Sequence, residues 1–234
     1  MKDVILCLNG LFGIIVSVYA NMDIGKPKRL RSLTFLGYME RFFHLTHISL
    51  GLATLTFAAG FFARTHGTQK TRFTSLYSHL LALTITAECF VCLLFWALWM
   101  IDAKNVVMVE NYVGEDCISL FFNLCMHGIP CIFLLVEFFL SDFTSSTVHY
   151  LILFVFFILY LVVMWVFRKR TGIWPYEIVN KYKFPYNMVF FLYCFLMICV
   201  IYAILSYVHK SFNYRELGRA PEVEEWMEGK RKVD

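Results

Sequence analysis

Apolar runs of about twenty residues recur along this chain, and nothing else in it limits the possible folds so strongly. They cover 4–20, about 33–63, 75–101, 117–140, 148–167 and 187–208, each long enough to cross the hydrocarbon layer of a bilayer as a helix. Lipid cannot satisfy backbone N–H and C=O groups, so a spanning segment is a helix or part of a closed barrel. These runs lack the alternation of barrel strands. The expected fold is therefore all-α, a polytopic transmembrane helical bundle of about six spans. Composition agrees: 59% of residues are hydrophobic and 16% charged, whereas soluble domains carry about 25% charge.

The second run is longer than one crossing needs, which places its first turns, including Leu33-Thr34-Phe35, at the headgroup boundary or tilts the helix. The first run has no small-residue cleavage site, and Tyr19-Ala20-Asn21-Met22 reads as the exit of a span rather than the end of a signal peptide. The eight cysteines fall almost wholly within spans, where cysteine acts as a small hydrophobe. Cys89 and Cys92 sit one helical turn apart, so neither a redox pair nor a disulfide framework follows.

With no internal repeat or low-complexity run, residues 1–209 form one bundle and 210–234 a polar C-terminal tail. Arg168–Tyr186, with its tryptophan and tyrosines, reads as a loop at headgroup level. A net charge of +4 does not orient the chain, because Lys and Arg divide almost evenly between the two sets of loops. Lys230 and Lys232 have the spacing of a dilysine retrieval signal. Against a plain solvated basic tip, that spacing favours endoplasmic reticulum or endomembrane over plasma membrane. Nothing points to nucleic acid.

Charged and polar groups deep in a span cost about 2.5–3.5 kcal/mol on insertion scales when charged, so they face the protein interior. The second run holds Thr34, Glu40, Arg41, His44, Thr46 and His47; the third His79, Thr84, Thr86 and Glu88; the fourth Asn123, His127 and Glu137. The fifth and sixth lack ionisable groups along most of their length, so spans two to four are expected to build the functional core. Helical spacing puts Glu40, His44 and His47 on one stripe. That stripe is either a self-satisfied interfacial cluster or a ligand set for zinc or iron. Asn123 lies one turn before His127, where its amide can bond the imidazole and fix the tautomer of a general base. Gly128 and Pro130 predict a break in the helix at that depth.

The segment Asn123-Leu124-Cys125-Met126-His127, followed by Phe133-Leu134-Leu135-Val136-Glu137, resembles a motif of the androgen-induced-gene and androgen-dependent TFPI-regulating protein family of multi-pass membrane threonine hydrolases. Leu33-Thr34-Phe35-Leu36, Phe95-Trp96 with Asp102, and Thr171-Gly172-Ile173-Trp174 resemble further elements of that family, in its order, from about residue 30 to 210. Leu124 and Gly128 stand where the family has histidine and threonine, and an alternative register puts Gly37 rather than Thr34 at the threonine position. The resemblance implies an intramembrane esterase that cleaves fatty acid esters of hydroxy fatty acids without a cofactor. It assigns Thr34 as nucleophile and His127 as base. Asn123 would orient the histidine, and Glu88 and Glu137 would support the site. Two other readings stand beside it: a metal-dependent membrane lipid hydrolase using Glu40, His44 and His47, and a non-enzymatic transporter or structural membrane protein.

Overall fold

The apolar runs wind into helices. The computed structural model describes residues 1–22, 24–26, 35–65, 71–103 and 118–217. In chain order the helices are α1 (Lys2–Asn21), α2 (Phe35–Glu40), α3 (Leu45–Thr65), α4 (Thr71–Ile101), α5 (Leu120–His127), α6 (Ile129–Leu140), α7 (Val148–Thr171), α8 (Glu177–Lys181) and α9 (Tyr186–Leu217). Six segments are long and apolar enough to cross a membrane, α5 and α6 together making one of them. The described chain is that of an integral multi-pass membrane protein. His66, the alternative retrieval signal at Lys230 and Lys232, and Thr34 lie outside the described residues.

The spans pack according to the size of their side chains. On α1 the buried face carries Asn9, Gly10, Gly13, Ser17 and Ala20, small residues that let α3 approach closely. A Cβ on Gly13 would lie 2.5 Å from the Phe57 ring, so glycine there is a condition of the contact. In α4, 61% of the apolar window is buried, against 17% in α7. Helix α4 is thus the central post, and α7 turns most of its surface to lipid.

The second apolar run does not form one tilted helix. Helix α2 is followed by a 3-10 turn at Arg41–Phe43, and the backbone is extended at His44 before α3 begins. Two tyrosines hold this corner. The Leu45 N–H donates to Tyr160 Oη at 3.0 Å and Tyr176 Oη at 2.8 Å, while Tyr160 donates to the Phe43 carbonyl at 3.1 Å. An N–H freed by the missing helical turn is thereby satisfied from α7 and from the loop before α8. That loop is fixed in turn: Gly172, at φ 80°, caps α7, and the Asn180 amide bonds both the N–H and the carbonyl of Trp174. At this left-handed position glycine costs nothing, which is why the helix can stop there.

The bundle has two distinct ends. The ends of α1, α4 and α7 and the starts of α3, α5 and α9 lie at one face, here called the long-loop face; the start of α1 and the 141–147 link lie at the other, the short-loop face.

Candidate active site

His127 is the last residue of α5, and the break expected from Gly128 and Pro130 follows it at once. Gly128 has φ −151° and ψ −59°, and α6 starts afresh with Pro130 in its first turn. Proline has no N–H to give the preceding turn, so carbonyls there need other donors. The Trp96 indole on α4 supplies one, bonding the His127 carbonyl at 3.0 Å. The neighbouring Phe95 lies flat against the imidazole, with ring centroids 3.6 Å apart and planes 4° from parallel. One turn of α4 thus fixes both the backbone and the ring of His127. Counting from Leu120 at about 1.5 Å per residue, the ring sits about 10 Å inside the long-loop face.

The surroundings of His127 are polar and incompletely satisfied. The ring is 7% exposed, Asn123 1% and Glu88 0%. Among the described residues, His127 Nδ1, Asn123 Oδ1 and both Glu88 oxygens have no hydrogen-bond partner. The hydrogen bond expected between Asn123 and His127 is therefore not formed: the ring has turned onto Phe95, away from the amide one turn earlier. Ser49 faces Glu88, but its hydroxyl donates to the Thr46 carbonyl at 3.0 Å. Cys131, one turn past His127, is close enough to Glu88 to feel its charge. These buried polar groups thus lie on α4 (Glu88), α3 (Ser49) and either side of the α5–α6 junction (Asn123, His127, Cys131). Lys26, after α1, brings a positive charge near both His47 and His127.

Glu40, His44 and His47 do not share a helical face, because the extended backbone at His44 separates the turn before it from α3. Glu40 is exposed. His44 packs edge-on against Tyr176. His47 Nδ1 is bonded to Asn21 Oδ1 at 2.9 Å, and Arg41 donates to the Asn21 carbonyl at 3.0 Å. These contacts tie α1 to α3 through polar side chains. Among the described residues no three of His, Cys, Asp and Glu gather as a metal-holding group.

Glu137 belongs to the opposite end of the bundle. It lies ten residues beyond His127, about 15 Å along the helix axis, and is wholly buried. Its Oε1 takes hydrogen bonds from both the Arg64 guanidinium, one at 2.9 Å, and the Tyr77 hydroxyl, and Asn9 donates to its Oε2 at 3.3 Å. This carboxylate joins α1, α3, α4 and α6 and has no place in the His127 pocket. Sequence reasoning also missed His149. Its Nδ1 accepts from the Ser146 N–H at 3.3 Å and meets the Tyr202 hydroxyl. Nε2 therefore carries the proton and donates to His79 Nδ1 at 2.9 Å, leaving the other ring nitrogen of His79 for Ser75 at 3.3 Å. Spans five and six are thus part of the polar framework. Their part was hidden because the pairing partners come from different helices.

Six long apolar helices with polar side chains buried among them define an integral multi-pass membrane protein. The FAR-17a/AIG1-like protein family model matches residues 4–210, and the chain belongs to that family. Neither the curated proteins nor the solved structures contain a match.

Proposed function

We propose that the protein is an intramembrane esterase that hydrolyses fatty acid esters of hydroxy fatty acids, with Thr34 as nucleophile and His127 as base. The observation that carries this reading is the Nδ1 of His127, a residue held by Phe95 and Trp96: it has no partner among the described residues, and the Asn123 and Glu88 side-chain oxygens are buried and likewise unpaired. Buried polar atoms without partners are costly, and a polar reacting group is what such atoms are placed to meet. Thr34 immediately precedes α2 in the sequence, and α2 leads through His44 into α3. The ester of an acylated hydroxy fatty acid sits among hydrocarbon, which suits a site about a third of the way into the bilayer.

In the reaction, His127 takes the Thr34 hydroxyl proton as the oxygen attacks the ester carbonyl. The tetrahedral intermediate expels the hydroxy fatty acid alkoxide, which receives that proton from His127, and an acyl-threonine remains. Water, deprotonated by His127, attacks the acyl-threonine; collapse returns the proton to Thr34 and releases the second fatty acid. Glu88, buried beside Ser49, is the candidate for holding the attacking water.

Purified protein in detergent should hydrolyse such an ester and take up a fluorophosphonate label on Thr34. His127→Gln should lower kcat by about a thousandfold, the usual worth of general-base catalysis, and Thr34→Ala should abolish both label and turnover. If both variants keep wild-type turnover, the mechanism is wrong. Label on a residue other than Thr34 would reassign the nucleophile.

A further inference from the structure

The end of α7, the following loop and the start of α9 enclose a cavity of about 410 Å³ on the long-loop face. Arg168, Trp174, Asn180, Lys183, Asn187 and Met188 line it. A second cavity of about 430 Å³ shares Arg168 and continues past Trp165 and Lys169, so Arg168 stands at the middle of one groove. Its guanidinium lies 4.6 Å from the Trp174 ring centre. Stacked in that way, its N–H edge is left to bind an oxyanion. Neither Arg168 nor Lys183 has a carboxylate partner among the described residues. Asn187 is only 4% exposed, yet its side-chain oxygen has no donor.

These features ask for particular chemistry in one ligand. Arg168 over the Trp174 ring and Lys183 lining the same cavity, neither with a carboxylate partner among the described residues, suit a phosphodiester. The lone Asn187 oxygen needs a donor, which a phosphodiester, a carboxylate and a choline headgroup all lack, and beside Arg168 and Lys183 an uncharged hydroxyl suits it better than an ammonium. The groove also opens where the chain meets the headgroup layer: Phe184 is 79% exposed and Tyr186 69%, as interfacial aromatics are. Beyond it, α7 presents Ile158, Val162 and Trp165 to lipid, a track for acyl chains.

We propose that this groove is a binding site for an anionic glycerophospholipid with a hydroxyl-bearing headgroup, glycerol or inositol. Arg168 and Lys183 hold the phosphate and Asn187 accepts from a headgroup hydroxyl. The site is separate from the His127 pocket and does not depend on the esterase reading.

Native mass spectrometry of the full chain, released from detergent after incubation with defined lipids, tests it. One phosphatidylinositol or phosphatidylglycerol should be retained under conditions that strip phosphatidylcholine. Arg168→Gln and Lys183→Gln should each weaken retention about fivefold, and the charge-preserving pair Arg168→Lys with Lys183→Arg should restore most of it. Lys181→Gln, which removes a charge from the same face but not from the cavity, should change nothing. Asn187→Leu should abolish the preference for phosphatidylinositol over phosphatidic acid. Equal retention of phosphatidylcholine, or an equal loss from Lys181→Gln, would overturn the site. Thermal stabilisation by inorganic phosphate matching that by phosphatidylinositol would make it a free-anion site instead.

Discussion

At the scale of single residues, the His127 pocket is organised by the aromatic pair on α4. The flat stack on Phe95 fixes the plane of the imidazole, and a base misplaced by about an ångström loses on the order of a hundredfold in rate. Phe95→Leu keeps an apolar side chain of similar bulk but removes the plane. On the esterase reading it is expected to lower kcat by up to that factor and leave KM nearly unchanged, as steady-state kinetics on the detergent-solubilised protein would show. An equal fall in kcat and rise in KM would mean that Phe95 shapes the substrate channel instead. The residue types of the pocket were legible in the sequence: Glu88, Asn123 and His127 are each conspicuous in an apolar run. Their pairing was not. Spacing by fours presumes an unbroken helix and a free ring, and here the helix ends at His127 while the ring is claimed from another span.

At the scale of elements, the corner between α2 and α3 is the most exacting local structure. Burial, first of all, pushes the His44 pKa below its ordinary value, and the Lys26 charge adds to this, while hydrogen bonds to the Arg41 and Pro175 carbonyls act the other way. A histidine with a depressed folded-state pKa binds fewer protons folded than unfolded, so its contribution is complete above about pH 6.5 and is lost as pH falls below that. Hydrogen exchange across residues 35–44, corrected for intrinsic rate, should show loosening from pH 6.5 downward and little change above it. His44→Phe should flatten that dependence. Tyr160→Phe together with Tyr176→Phe would leave the Leu45 N–H buried without an acceptor, at a cost of about 1–3 kcal/mol. Faster proteolysis of the α2 segment, with the spans still protected, is the expected sign. Nothing in Glu40-Arg41-Phe42-Phe43-His44 announces this corner, for the stretch holds neither proline nor glycine. The bends at Gly128 and Gly172 were readable because the residues that permit them are distinctive.

At the scale of the whole molecule, the six spans follow directly from the apolar runs, but what locks them together came from pairs that no single run reveals. Arg64 and Glu137 are the strongest case. Removing the guanidinium by Arg64→Leu leaves a buried carboxylate without its countercharge and is expected to cost about 3–5 kcal/mol. The double variant Arg64→Leu with Glu137→Leu should regain much of that. Thermal unfolding in detergent, followed by size exclusion, distinguishes the two. If the double variant is no more stable than the single, Glu137 matters through Tyr77 and Asn9 and not through the ion pair.

The ion pair, the Asn9 and Tyr77 bonds and the His79–His149–Tyr202 chain all stand at the short-loop face, while the unpaired polar atoms of His127, Asn123 and Glu88 stand toward the long-loop face and the middle. Both ends are tied across helices, the long-loop end by the Asn21–His47 and Leu45–Tyr160 bonds among others, but the buried polar atoms left without partners lie nearer that end. On the esterase reading, a lipid in the leaflet nearer His127 reaches it by sideways diffusion, whereas the same lipid in the opposite leaflet must first cross the bilayer, so the supply of substrate would be set by transbilayer lipid asymmetry as well as by its total amount.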